Sequence, residues 1–309
     1  MSDTHRLHIF LVATETLNFS EAARQLHMTQ PSVSQHIRAL EQQFDQQLFY
    51  RCGRYVELTP AGRRLAELAG DLMERWTQIE EEMESLKGEV TGHLMVGCST
   101  TPGKYILPPL LAQFHRRYPK VSIACYVAPQ AHALQMLCDG EVHFALASAP
   151  HICHSDVEFR PFIMDPVELI VPISHLWAAR GVIEPHDLLA GSFITREPQS
   201  GTREAVREAL AGVGIAENEL ATFLTLGSSE AIAMAVEEGL GVAFVSRIVA
   251  RRLAGSRVTP VRVRGLTIER EIHFGRHTRR PTTRAQAAFW EHFWAGVDTL
   301  PAELEAVSH

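Results

Sequence analysis

Thr59-Pro60-Ala61-Gly62 opens a segment that runs without proline from Arg63 to Lys87. Thr59 offers a hydroxyl to cap a helix, and Pro60 fits the first helical position, where its missing N–H costs nothing. Leu65, Leu72, Ile79 and Leu86 recur by sevens, and Ala69, Trp76 and Met83 recur by sevens in the companion register. Two interleaved heptad series describe a coiled-coil seam, narrower than the apolar face of a helix packed on one domain. At the rise of an α-helix, Thr59 to Lys87 spans about 43 Å. Glu74, Glu80, Glu81, Glu82 and Glu84 charge its outside. A seam this long and narrow is best filled by another copy of the same helix, so a homodimer or homotetramer is expected. The helix also divides the chain into residues 1–58, a linker of 59–88, and residues 89–309.

The first segment reads as short helices. Leu7, Phe10 and Leu11 share a helical face between Thr4 and Thr14. Ser20 is read as the N-cap of a second helix that carries Ala22, Ala23 and Leu26. His27 and Met28 turn the chain, Thr29 caps a third helix, and Pro31 lies in its first turn. Val33, Ile37 and Leu40 point inward, leaving Gln30, Ser32, Ser34, Gln35, His36 and Arg38 on the opposite face. Short polar groups at the exposed start of such a helix suit base edges in a major groove. Two β-prone runs, Leu48–Arg51 and Tyr55–Leu58, flank Cys52-Gly53-Arg54 and form a hairpin. A helix pair followed by a hairpin bearing Arg51 and Arg54 is a winged helix-turn-helix, the arginines being placed for phosphates or a minor groove.

From His93 onward strands and helices alternate. Strands are expected at 93–97, 121–127, 143–149, 167–173, 192–195, 222–226, 241–246 and 269–275, with helices between them and a closing helix from Thr282 to Val297. Repeated β-α units imply a parallel sheet covered on both faces. Two such sets with a crossover at Pro166–Pro172 imply two lobes, about 91–166 with 267–300 and about 167–266, separated by a cleft. The polar loop Cys98-Ser99-Thr100-Thr101 runs into a helix at Pro102, and hydroxyls beside free N–H groups make an anion site. Ser148 ends another strand of that lobe. Thr195-Arg196 and Ser200-Gly201-Thr202-Arg203 repeat the pattern in the second lobe, with Arg203 able to grip a carboxylate by two prongs. Ser99 or Thr202 is expected to cap its helix as well.

Composition narrows the class. The net charge is −7. Residues 1–58 hold five arginines, no lysine and six acids, so any nucleic-acid contact is local. Five scattered cysteines, with no CxxC, fit a reducing cytoplasm. The uncharged stretch Val121–Cys138 is interrupted by Pro129, Gln130, His132 and Gln135 and is no membrane span. His151, Cys153 and His154 lack partners at metal-site spacing. No nucleotide loop or nucleophile elbow occurs, and Ser99 and Thr100 have no matched base.

The chain resembles the LysR-type transcriptional regulators over nearly its whole length. The match is carried by Phe19–Glu41 (F-x-x-A-A-x-x-L-x-x-T-Q-P-S-V-S-x-x-I-x-x-L-E), by L-F-x-R and L-T-x-A-G within Leu48–Gly62, by L-P-P-L-L-x-x-F-x-x-x-Y-P-x-V at Leu107–Val121, and by E-G-L-G-V-A-F-V-S at Glu238–Ser246. The resemblance implies a winged helix-turn-helix, a linker helix and a two-lobed α/β effector domain like a periplasmic solute-binding protein. It places DNA contacts on Thr29, Gln30, Pro31, Ser32, Ser34, Gln35 and His36, and on Arg51 and Arg54. Gln30 and Gln35 suit adenine, whereas Ser32 and Ser34 suit phosphate. Two departures are Asp45, where the family has Gly, and Gln35, where many relatives have Arg. The facing loops imply a small anionic effector held by Ser99, Thr100, Thr101, Ser148, Thr195, Thr202 and Arg203. They look like branches sensing metabolites of carbon fixation or sulfur metabolism. Peroxide-sensing relatives use two cysteines in the second lobe. Residues 192–246 contain none, so Cys98 is read as a buried inert thiol. The implied partners are double-stranded DNA, further copies of the chain, a small metabolite and RNA polymerase, with no cofactor and no membrane. The alternative is a sensor or enzyme of the same two-lobed fold whose helical head serves only assembly.

Overall fold

The computed structural model describes residues 3–52, 55–86, 89–148, 156–253, 257–278 and 282–295. The chain divides into two compact units, residues 1–87 and 88–309.

In the first unit, α1 (Asp3–Thr16), α2 (Phe19–Gln25) and α3 (Gln30–Phe44) precede a hairpin of β1 (Phe49–Cys52) and β2 (Tyr55–Leu58), and α4 (Pro60–Ser85) follows. The helix periodicity holds because Ile9, Phe10, Ala22, Val33, Ile37 and Leu40 fall on inward faces and form one buried cluster with Leu48 and Phe49. Phe49 receives Phe10 and Phe19 edge-on, at 5.6 and 5.2 Å between ring centres. The cap of α2 is Asn18, not Ser20: the Asn18 Oδ1 accepts from the N–H groups of Ser20 and Glu21 at 3.0 and 3.2 Å. The helix begins one residue before the expected cap, which puts Ser20 inside the first turn. Asp45 takes the left-handed conformation (φ 52°, ψ 40°) that ends α3. Glu41 then ties this end to the hairpin, its Oε1 accepting from Leu48 N at 3.0 Å.

The start of α4 is held firmly. Thr59 accepts from Gly62 N at 2.9 Å and donates to the Gln47 carbonyl at 2.6 Å. Leu65 and Ala69, expected in an intermolecular seam, pack instead on the core of the head. The seam residues beyond them, Leu72, Trp76, Ile79, Met83 and Leu86, are exposed. The reason is geometric: the first turns of α4 lie against α1, and only later turns are unaccompanied within this unit. The last residue of the expected linker, Gly88, lies outside the described residues.

In the second unit, β3 (Gly92–Ser99), a π-turn at Pro102–Ile106, α5 (Leu107–Arg117), β4 (Val121–Ala128), α6 (Gln130–Asp139) and β5 (Phe144–Ser148) build one lobe. A 16-residue strand, β6 (Val157–Pro172), then crosses into the other. That lobe contains α7 (Leu176–Arg180), β7 (Val182–Ile183), β8 (Ser192–Arg196), α8 (Gly201–Gly212), β9 (Ala221–Leu226), α9 (Ser229–Glu237), β10 (Ala243–Ser246), α10 (Arg247–Leu253) and β11 (Val258–Val263). The chain returns through β12 (Glu269–His277) and α11 (Arg284–Ala295).

The main sheet runs β4-β3-β5-β12-β6-β11-β7, with β10 also on β6. It is mixed, which corrects the expectation of a parallel sheet. β3 pairs in parallel with β4 and β5, whereas β12 is antiparallel to β5 and β6, and β10 and β11 are antiparallel to β6. The returning segment has no crossover helix before β12, so it enters against its neighbours. Val157–Pro166 of β6 pairs with β12, while Val167–Pro172 pairs with β10 or β11. One strand therefore belongs to both lobes.

Gly62 is required by space. A Cβ there would lie 2.1 Å from the Leu48 carbonyl oxygen, where backbone cannot yield. Gly62→Ala is expected to destabilise the head by about 1–3 kcal/mol, read as a lower midpoint in denaturant with an unchanged slope.

Candidate functional site

Two sets of side chains stand apart from the cores. The first is the exposed start of α3. Thr29 has extended backbone and its Oγ1 accepts from Ser32 N at 3.4 Å, while Pro31 occupies the first turn. Thr29, Gln30, Pro31 and Gln35 are exposed, and Ser32 and His36 are partly so. Ser34 differs: it is buried and accepts from Gln30 Nε2 at 3.0 Å. A hydroxyl so placed positions Gln30 and does not reach outward. His36 meets the His5 ring edge-on at 5.7 Å. Burial, with His5 and Arg6 beside it, holds its pKa below the ordinary histidine value. The imidazole is therefore neutral near pH 7, able to hydrogen-bond a base or phosphate without bringing charge. Arg24 is bound to Glu21, but Arg38 is exposed one turn beyond Ser34. Arg38 is the cation this face presents, and its simple exposure on the polar side of α3 was the available signal. Arg51 lies on β1, whose hairpin forms as expected. Arg54 lies outside the described residues, as do His151, Cys153 and His154.

The second set lies between the lobes. Ser99, Thr100, Thr101 and Gln130 from one lobe face Arg196, Glu197, Ser200 and Gly201 from the other, with Arg270 of β12 beside them. Each comes from the end of a strand or the start of a helix, where backbone donors are left over. Neither helix start is capped by a side chain: Thr101 and Ser200 occupy the cap positions and make no capping bond. That corrects the expected capping by Ser99 or Thr202. The hydroxyls of Ser99, Thr101 and Ser200 and the Gln130 Oε1 are buried there and have no hydrogen-bond partner; the Thr202 hydroxyl, in the neighbouring second-lobe pocket, has none either. Buried polar atoms left unmade cost about 1–3 kcal/mol each, which sets these residues apart from the well-paired interior.

The loop before α8 is shaped for close approach. Gln199 is left-handed (φ 69°), a conformation that costs a non-glycine residue about 1–3 kcal/mol. A Cβ on Gly201 would come 2.3 Å from Ser148 Oγ and 2.8 Å from Gln130 Oε1, so this backbone touches the opposite lobe. Lys104 of the π-turn reaches Glu230 of α9 at 3.0 Å, a second tie across the lobes.

Both arginines of the cleft are already engaged. Arg196 holds Glu197 through Nε and Nη2 at 2.7 and 2.8 Å, and donates to Ser229 Oγ at 2.8 Å. Arg270 pairs with the fully buried Asp165 through Nε and Nη2 at 2.7 and 2.6 Å. Its Nη1 points to Ser148 Oγ at 3.5 Å. Three expected effector residues sit elsewhere. Arg203 is held by Glu217 and by the Arg196 carbonyl. With Thr195 and Thr202 it lines a separate pocket inside the second lobe, beside Phe193, Val206 and Phe244. The arginine that faces the cleft is Arg196, because β8 ends there and the polypeptide turns before α8. Gln130 and Arg270 escaped sequence reasoning because each belongs to a segment distant from the polar loops.

Among the described residues no group of three or more His, Cys, Asp or Glu side chains is arranged for a metal ion. Likewise no helix among them is long and apolar enough to cross a membrane.

Comparison with known proteins bears on both sites. Residues 4–63 match the family model described as "Bacterial regulatory helix-turn-helix protein, lysR family", and residues 87–297 match the "LysR substrate binding domain". A probable RuBisCO transcriptional regulator of Cyanophora paradoxa is 32% identical over 91% of this chain and 87% of its own. The regulatory domain of CcmR from Synechocystis PCC6803, solved in complex with 2-PG, is 25% identical over 68% of this chain and 100% of its own, with a TM-score of 0.61. Full-length CbnR, solved with its target DNA, is 22% identical over 95% of this chain and 99% of its own, with a TM-score of 0.67.

The unpartnered hydroxyls yield a stability test. Thr101→Val removes an oxygen that bonds nothing in the unliganded chain. Its melting temperature is expected to stay the same or rise, in contrast to the loss of about 0.5–1.5 kcal/mol when a made hydrogen bond is deleted. Calorimetry checks this, and a clear fall would show that Thr101 Oγ1 has a structural partner.

Proposed function

The chain belongs to the LysR family of bacterial transcriptional regulators, and we propose that a small anionic metabolite, bound between its two lobes, sets how tightly or at what bend it holds operator DNA. It is a regulator and not an enzyme, as its matched families and relatives are, so an enzyme of the same fold is set aside. Regulators of the family bind DNA and form oligomers. The observation that carries the effector reading is the meeting of Ser99, Thr101, Gln130 and Ser200, all with unpartnered buried atoms, beside Arg196 and Arg270. The three hydroxyls can donate, and two guanidinium groups, paired with Glu197 and Asp165, line the same space. A carboxylate or phosphate satisfies both, by taking hydrogen bonds from the hydroxyls and competing with Glu197 for Arg196. Such a ligand favours closed lobes, and it shifts DNA binding only as far as it prefers one arrangement over the other.

On the DNA side, Gln30 and Gln35 read base edges, Thr29, Ser32 and His36 hold the backbone, and Arg38 adds a phosphate contact, with the wing bearing Arg51 and Arg54 alongside. The head lacks an excess of positive charge, so affinity is gained by pairing two heads. The exposed Leu72, Trp76, Ile79, Met83 and Leu86 are the surface through which α4 meets its copy. The protein works in the cytoplasm with RNA polymerase.

A thermal-shift screen of small metabolite anions tests the effector site, because bound ligand raises the melting temperature with occupancy. The relative named for RuBisCO regulation makes metabolites of carbon fixation the first compounds to try. If no anion shifts the wild type at millimolar concentration, the anionic reading fails. For the head, Gln35→Ala is expected to cost about 1–3 kcal/mol at the cognate operator and little on random DNA. Arg38→Ala weakens both alike and lowers the salt slope by about one. Ile79→Asp, placing a carboxylate in the α4 seam, is expected to yield monomers in sedimentation with far-ultraviolet dichroism of the effector domain retained.

A further inference from the structure

Cys98 and Cys125 stand 27 residues apart in the sequence, where Cys98 reads as a buried inert thiol and Cys125 carries no signal. The fold brings them together. They stand on the neighbouring parallel strands β3 and β4, where Val96 is level with Cys125 and Cys98 with Val127. All four side chains share one face of the sheet, and the two cysteines are diagonal neighbours. Their sulfurs are 3.2 Å apart, and the Cys98 sulfur also lies 3.5 Å from the Tyr126 carbonyl oxygen. Cys98 is wholly buried beneath the π-turn, so close that a Cβ on Gly103 would sit 2.6 Å from its sulfur. Cys125 is exposed on β4, the outermost strand of the sheet.

We propose that Cys98 and Cys125 form an oxidant-sensitive dithiol, in which a hydroperoxide attacks from the solvent side at Cys125 and Cys98 closes an intramolecular disulfide. The division of labour follows from exposure. Of the two, Cys125 is open to a small oxidant, and the buried Cys98 is within reach to resolve the product. The hydrogen bond with Cys98 holds the Cys125 thiol below its ordinary pKa. The same bond, then burial, pushes Cys98 up. The exposed sulfur therefore ionises ahead of the buried one and is the nucleophile of the pair.

The steps balance. The Cys125 thiolate takes the terminal oxygen of the peroxide, the O–O bond breaks, and the leaving oxygen departs as water or alcohol after gaining a proton. Sulfur is oxidised to sulfenic acid as the peroxide is reduced. Cys98 then attacks that sulfur, the S–S bond forms and the S–O bond breaks. The Cys98 proton leaves with the hydroxyl as water. Two thiols and one hydroperoxide thus become one disulfide and, with hydrogen peroxide, two waters. Reaching the S–S bond length of about 2.05 Å draws the sulfurs together by about 1.2 Å. The strand end that moves carries Ser99, the next residue, into the cleft.

The test treats the purified full-length chain with hydrogen peroxide and maps its cysteines by differential alkylation and peptide mass spectrometry. Loss of two of the five thiols, with a Cys98–Cys125 cross-linked peptide that dithiothreitol removes, is expected. Cys98→Ser should instead accumulate a dimedone adduct at Cys125. Cys125→Ser, a change at an exposed position, should leave Cys98 fully alkylatable at the same dose and keeps the test decisive if the buried substitution fails to fold. The proposal is overturned if Cys125 oxidises no faster than Cys138. It is equally overturned if the wild type gives only cross-links between chains, or only sulfinic acid at Cys125.

Discussion

The ion pair between Arg270 and Asp165 is the point on which the effector domain turns. Asp165 has no exposed surface and Arg270 is 6% exposed, so both charges have left water at a cost of several kcal/mol apiece. That cost is offset in part by the contacts that hold the pair. Arg270 and Asp165 are register partners on β12 and β6, and Ser246 of β10 donates to the other carboxylate oxygen at 2.6 Å. Three strands from two lobes thus converge on one carboxylate, one residue before Pro166, where β6 passes from its partner in the first lobe to those in the second. Loss of either member would leave a buried charge uncompensated, with a penalty of about 3–5 kcal/mol. The remaining donor of the same guanidinium faces Ser148 and the cleft. The group that fixes the crossing of the lobes is therefore also part of the wall a ligand meets.

The cleft is the least settled part of an otherwise well-satisfied domain. Its buried hydroxyls are unbonded, Gln199 is held in a left-handed conformation, and both arginines are occupied by carboxylates of the chain itself. Departures from local preference thus gather in one place, as they do at functional sites. Contacts of opposite character hold the two sides near one another. Gly201 allows backbone against side chain, and Lys104 with Glu230 supplies a screened, partly exposed charge pair of about 0–1 kcal/mol. Beneath them one buried apolar core runs from the first lobe into α9, β10 and α10 of the second.

The head was legible because its information is local. Thr29, Pro31, Val33, Ile37, Leu40 and Asp45 lie within one helix and state its start, its face and its end. The cap at Asn18 was missed because two polar residues lay two positions apart and either could serve; the left-handed Leu17 before Asn18 decides it, and nothing in the sequence announces that. The heptads were read correctly as a repeat, but Leu65 and Ala69 satisfy an a/d pattern and a domain core equally well. In the effector domain the polar loops were visible, yet the choice of Arg196 over Arg203 depends on which way a turn points. The first half of β6 (VEFRPFIM) and β11 (VTPVRV) carry some apolar-polar alternation, but Pro161 and Pro260 interrupt it and hide both strands. Gln130, Arg270 and the nearness of Cys125 to Cys98 are products of topology, which joins residues that no spacing relates.

The order of strands also bears on how the chain is made. The lobe that begins at Gly92 is not finished when its first sheet strands have been synthesised. Its sheet runs β4-β3-β5-β12-β6, and β12 fills the gap between β5 and β6. From Ser148 to Glu269 about 120 residues must be added, which at ribosomal speed takes about 6–24 s. During that interval β5 and the first half of β6 each present a bare hydrogen-bonding edge, the kind that pairs with other chains. The second lobe, continuous from Val167 to Val263, can complete itself first. A nascent chain of this design is therefore at risk of aggregation in mid-synthesis, and the risk ends only when β12 emerges and is inserted.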